Sequence, residues 1–180
     1  MEAVIIIGLG NILYGDEGYG VRLAQNLYAR WDFPDHVEVV DGGTQGQTLL
    51  TYVERADRLL VLDAVDFGLE PGEMVLREQM PAYLTAQKIG PHQNSFSEVL
   101  GLATLRGNMP EHCALIGVQP AAMTLGAALS PAVAQCLGKG EDMALEVLRQ
   151  WGVRPERREE SRHLSASALD ALLLAESPVF

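Results

Sequence analysis

The run Ala3-Val4-Ile5-Ile6-Ile7 offers no polar face to water, and it stops at a glycine-punctuated loop, GLGNILYGDEGYG, from Gly8 to Gly20. A strand that is apolar on both sides has to be covered on both sides, the situation of an inner strand in a parallel sheet packed between helices. The pattern recurs at Val37 to Val40, at Leu59-Leu60-Val61-Leu62 and at Leu115-Ile116-Gly117-Val118, with helical spacing of apolar residues in between. Strand, turn and helix in alternation mark βαβ units, whose crossovers are right-handed. The expected fold is therefore α/β: a single three-layer domain with a mostly parallel twisted sheet of about five strands and helices on both faces.

The helices can be placed from their caps. Asp16 stands where it can cap a helix with Val21, Ala24, Leu27 and Tyr28 inward. Thr44 and Gln47 have capping-box spacing, as do Ser95 and Glu98, the latter ahead of Phe96, Val99, Leu100 and Ala103. Ser130-Pro131 reads as an N-cap followed by proline at the first helical position. Met74 to Leu76 is expected as a short edge strand, Pro81 as the start of a short helix through Leu84, and Gln87 to Asn94 as a polar loop containing His92. Gly138 and Gly140 are expected to break the next helical stretch in two, with the second segment ending at Gly152. That closes a domain over residues 1–152. Residues 153–180 read as a tail: a charged linker around Arg154 to Glu160, without apolar period, then a short amphipathic helix with Leu164, Ala168, Leu169, Leu172 and Leu173.

Composition narrows the function. A formal net charge of -11 argues against nucleic acid, whose phosphates demand a basic face. No apolar stretch approaches the roughly 18 residues of a membrane span, and the amino terminus lacks the basic region of a signal peptide. Cys113 and Cys136 form no C-x-x-C and read as core thiols of a reducing compartment, so the expected location is the cytoplasm.

The opening loop looks like a phosphate loop and is not one. Gly10 and Gly15 have Walker A spacing, but Asp16 and Glu17 stand where lysine and a hydroxyl residue belong, and Leu13 replaces the third glycine of the dinucleotide fingerprint. In an open α/β sheet ligands bind beyond the carboxyl ends of the strands, and acids converge there: Glu17 follows the first strand, Asp41 ends the second and Asp63 the third. Singly each has a structural reading, as a first-turn acid, a turn residue and a strand-end Asx turn. Together they describe an acidic site, because crowded carboxylates raise one another's pKa and a cation relieves the repulsion. His92 is the candidate fourth member, since imidazole suits nickel, zinc and copper. An acid, acid, histidine set leaves coordination positions open, which suits catalysis or transient recognition.

The segments GLGNILYGDEGYGV, DGGTQG, LVLDAVDFGLEPG, PHQNSFSEVL and LIGVQP, in this order and spacing, resemble the [NiFe]-hydrogenase maturation endopeptidases, uptake type, from about Ala3 to Trp151. The resemblance implies an aspartic-type peptide hydrolase that removes the C-terminal extension of the hydrogenase large-subunit precursor after nickel insertion. It implies no tightly bound cofactor; the nickel is carried by the substrate. It places the metal-contacting set on Glu17, Asp63 and His92 and the DGGT aspartate on Asp41, so that catalytic roles fall among Asp63, Asp41 and Glu17. The partner is the nickel-loaded precursor, with neither nucleic acid nor membrane involved. Two other readings compete on the residues alone: a nucleotide- or flavin-binding doubly wound domain, and a metal-dependent hydrolase of small amides or esters.

Overall fold

Every residue of β1 (Val4–Leu9) is buried, and strands hydrogen-bond along both its edges. The computed structural model describes residues 2–78 and 91–159, apart from the side chains of residues 91–95. In chain order β1 is followed by α1 (Tyr19–Arg30), β2 (Trp31–Asp32), β3 (Val37–Gly43), α2 (Leu50–Arg55), β4 (Arg58–Ala64) and β5 (Met74–Arg77). Then come α3 (Pro91–Leu105), β6 (His112–Val118), α4 (Pro131–Ala134), α5 (Cys136–Gln150) and β7 (Glu156–Arg157). The main sheet has five strands in the order β3-β1-β4-β6-β5, all parallel except the edge strand β5, which runs antiparallel to β6. This is the α/β architecture expected from the apolar runs.

Side-chain alternation divides the core. Ile6, Leu60, Leu62 and Ile116 pack with residues of α1 and α5 on one face, while Ile5, Ile7, Leu59, Val61 and Leu115 pack with residues of α2 and α3 on the other. The connection leaving β1 runs outward to β3, whereas the chain leaving β4 runs the other way, first to the edge strand β5 and then, through α3, to β6. The carboxyl ends of β1 and β4, adjacent in the sheet, therefore form the topological switch point, the place at which open α/β sheets bind their ligands.

Several local expectations are corrected. Asp16 does not cap α1: a 3-10 turn over Gly15–Gly18 intervenes, and Gly18 occupies the N-cap position without a side-chain bond. Thr44 and Gln47 form no capping box, because a second 3-10 turn, Gly46–Leu49, leads into α2. The Ser95 and Glu98 box fails for a similar reason, since α3 already begins at Pro91 and Ser95 lies inside it. His92 is accordingly in the first turn of a helix and not in a loop. Gly138 and Gly140 lie within α5, which runs unbroken. Gly140 is needed for packing: a Cβ there would sit 2.2 Å from the Tyr19 hydroxyl, so glycine lets α5 approach α1. Gly152 does end the helix region, with φ at +81°, and Ser130 caps α4, accepting from the Val133 N–H.

The stretch after Gly152 also departs from a plain solvated linker. Val153 is buried, Glu156–Arg157 pairs antiparallel with β2, and the Arg158 N–H donates to the Arg30 carbonyl while its guanidinium pairs with Asp32. The expected helix from Pro81 and the amphipathic segment from Leu164 lie outside the described residues. Among the described residues no helix is long and apolar enough to cross a membrane.

Candidate active site

The loop after β1 folds back tightly on the switch point, and glycine makes the approach possible. Gly10 has φ at +119°, and a Cβ there would fall 1.8 Å from the Glu17 carbonyl oxygen. Gly20 sits so close to both strand ends that a Cβ would lie 2.1 Å from the Leu62 carbonyl oxygen and 2.5 Å from that of Leu9. The consequence is a 3-10 turn packed against β4, the strand that carries Asp63 at its penultimate position, with Glu17 buried at 6% exposure. Asp63 is fully buried, and its Oδ1 accepts from the Ala64 N–H at 2.8 Å. These two carboxylates belong to the two connections that diverge at the crevice.

The sheet pleat sorts the other candidates. Asp41 pairs in register with Gly8, as does Leu62 on the opposite side, so Asp41 lies one step below Asp63 and on the α1 face. Gln25 of α1 donates to its Oδ2 at 3.4 Å. Asp63 alternates with Leu62 and points to the α2 and α3 face, which Leu59 and Val61 share. The chain from α3 enters β6 at the amino end of the sheet, which puts the first turn of α3, and with it the backbone of His92, at the carboxyl rim on the Asp63 face. The structure thus brings the Glu17 turn, Asp63 and the start of α3 to one rim, and turns Asp41 to the other face of the sheet. Among the described residues no three of histidine, cysteine, aspartate and glutamate are grouped to hold a metal; the His92 side chain lies outside that set.

Two residues outside the predicted site set, Asp16 and Gln119, hold this rim together. Asp16, wholly buried, accepts from the N–H groups of Ala121 (2.8 Å), Ala122 (2.9 Å) and Ser130 (2.6 Å) and from the Ser130 hydroxyl (2.9 Å). Its own N–H donates to the Ala122 carbonyl at 3.1 Å. The acid beside Glu17 is therefore committed to fastening the β6–α4 loop, and the DE pair of the motif divides into a structural and a candidate chemical member. Gln119, at the end of β6, does the same for the loop after β4: its Oε1 accepts from Phe67 and Leu69 N–H at 2.9 and 3.2 Å, and its Nε2 donates to Asp66 at 3.0 Å. The Gln119 amide, followed by the Gly68 N–H, holds the Asp66 carboxyl below the usual carboxylate range. The only advance signal for either residue was its place in the motifs, next to Glu17 and at the end of a strand.

A family model described as hydrogenase maturation protease (HycI) matches residues 21–147. The hydrogenase expression/formation protein HupD of Bradyrhizobium diazoefficiens is 42% identical over 174 residues, covering 93% of this chain and 91% of that protein. The hydrogenase 2 maturation protease of Escherichia coli is 38% identical over 159 residues, covering 87% of this chain and 96% of that protein. The solved structure of the hydrogenase maturating endopeptidase HybD from E. coli superposes with a TM-score of 0.82 at 34% identity, over 87% of this chain and 98% of that one. The nucleotide-binding and small-amide readings lose their standing against this likeness in both sequence and fold: the chain belongs to the hydrogenase maturation protease family.

Proposed function

We propose that this maturation endopeptidase removes the C-terminal extension of a [NiFe]-hydrogenase large-subunit precursor once nickel has been inserted, and that substrate-bound nickel is what its crevice recognises. The observation that supports the reading is the placement of two buried carboxylates, Glu17 and Asp63, on the two connections that part at the switch point. Buried carboxylates in one crevice favour a cation, and a phosphate would be repelled there. His92, in the first turn of α3 on the same rim, completes the contacting set. Because the metal arrives with the substrate, the free enzyme needs no resident metal. The two cysteines are free thiols, in keeping with work in the cytoplasm.

In this mechanism docking of nickel on Glu17, Asp63 and His92 is the check that the precursor is loaded, and it sets the scissile bond beside the acids. A carboxylate then takes a proton from the attacking water, which adds to the scissile carbonyl. Asp63 is better placed for this than Asp41, which is turned toward Gln25 on the far face. The developing oxyanion is stabilised by the substrate's metal or a protonated acid, and the proton taken from water passes to the departing amine. No covalent intermediate is required, which is the sense in which the enzyme is aspartic-type.

The test is precursor processing by Glu17→Gln, Asp63→Asn and His92→Ala variants, each shown to be folded by circular dichroism. Each is expected to lose at least a hundredfold in cleavage rate. Full activity in any one of them removes that residue from the site.

A further inference from the structure

We propose that the carboxyl rim carries a docking face for the precursor, built from Ile12, Leu13, Tyr14, Leu69 and Leu125 and held in shape by the buried side chains of Asp16 and Gln119. The proposal rests on the protease reading of the crevice, because it names the surface on which that substrate sits.

The distribution of exposed apolar surface points to it. Among the described residues six large hydrophobic side chains are markedly exposed: Ile12, Leu13, Tyr14, Leu69, Leu125 and Leu105. The first five all lie in the loops that follow β1, β4 and β6, on the rim that bears Glu17 and Asp63. Only Leu105, at the last residue of α3, belongs to the opposite end. Apolar side chains left in water around one crevice mark a surface that a partner covers.

These loops are also fixed. The Gly126 N–H donates to the Leu13 carbonyl at 2.7 Å, joining the loop after β1 to the loop after β6. Asp16 fastens the same two loops from beneath with four accepted hydrogen bonds, and Gln119 fastens the loop that carries Leu69. Removing a carboxylate from water is costly, and here it secures residues 121–128, most of which are exposed and contribute little to the core. A protein surface held rigid before binding loses less entropy when the partner arrives.

Charge and position select the occupant. Residues 8–15 and 119–133 contain no charged side chain, although the chain has a net charge of -11. The part of the face around Leu13 and Leu125 is therefore neutral and suits an uncharged, apolar stretch of polypeptide, while Asp66, Glu70 and Glu73 give it an acidic margin beside Leu69. It is continuous with the crevice, since Tyr14 is directly followed by the 3-10 turn that bears Glu17. A protease must grip residues beside the scissile bond, and the precursor is the chain that has to reach this position.

The experiment is steady-state cleavage of nickel-loaded precursor by the wild-type full chain, by a Leu13→Asp, Leu125→Asp double variant and by Leu105→Asp, with thermal melts of each. The double variant is expected to raise KM at least tenfold with kcat within about twofold, as loss of uniform binding requires. Leu105→Asp is expected to match wild type. Should the aspartates lower the melting temperature, Leu13→Ser with Leu125→Ser provides the milder comparison, with the same split between KM and kcat expected. Cleavage by the double variant with unchanged KM overturns the docking face while leaving the protease reading intact; failure of wild type to cleave at all overturns the protease reading instead. Sedimentation showing a dimer of the enzyme alone, dissolved by these substitutions while KM stays unchanged, assigns the face to a second copy and also overturns the proposal.

Discussion

Replacing Asp16 by alanine tests whether a buried acid organises the rim. The substitution leaves three backbone N–H groups and one hydroxyl, now bonded at 2.6 to 2.9 Å, without their acceptor. A hydrogen bond to a charged group contributes about 1.5–3 kcal/mol, but a simple sum would overcount, because the N–H groups of exposed Ala121 and Ala122 can turn to water. What remains is the orphaned Ser130 N–H, the loosened Ser130 cap of α4 and a small cavity, together about 3–4 kcal/mol. At ~2–4 °C per kcal/mol for a domain of this size, the melting temperature falls by about 10 °C. Asp16→Asn keeps one acceptor oxygen and should lose roughly half as much. Urea titration measures the stability, and amide hydrogen exchange at Ala121, Ala122 and Ser130 locates the loss. A stability change below about 1 kcal/mol in Asp16→Ala, or unaltered exchange at those three amides, would refute the clasp.

Gly20→Ala should destabilise by about 3 kcal/mol or more and abolish processing, because both close atoms are backbone carbonyls of strands and α1 has to retreat, moving the Glu17 turn; urea titration and a cleavage assay report the two effects. Burial pushes the Cys113 thiol up to about 11 from its ordinary 9.0. Its folded value is raised, so its contribution is fully present below pH ~9 and is lost as pH climbs toward 11, with about 2 kcal/mol gone by pH ~10.5. Unfolding measured at pH 8 and near 10.5 should show a drop that is smaller by that amount in Cys113→Ala.

What could be read from sequence was whatever depends on periodicity. The strand at Val4 to Ile7, the edge position of Met74 to Leu76, the proline-led helix at Ser130 and the stop at Gly152 all follow from local pattern, and all are present in the fold. Caps depart from local pattern where tertiary contacts override local chemistry: Asp16 has the right composition and place for an N-cap, yet its partners lie more than a hundred residues away. Gly140 looked like a helix breaker because its use is visible only when Tyr19 packs opposite. The rim position of Glu17 and Asp63 was legible, since both end or follow buried strands. That Asp41 faces the other side was not, because it depends on the register of β3 against β1, which pairs Asp41 with Gly8.

The central claim is that the acidic crevice inspects nickel in the substrate. The most direct measurement is cleavage of the same large-subunit precursor in nickel-loaded and nickel-free forms by the full chain, read as product formed against time. Rapid release of the C-terminal extension is expected from the loaded form and none above background from the nickel-free form. Equal cleavage of both forms would contradict the claim.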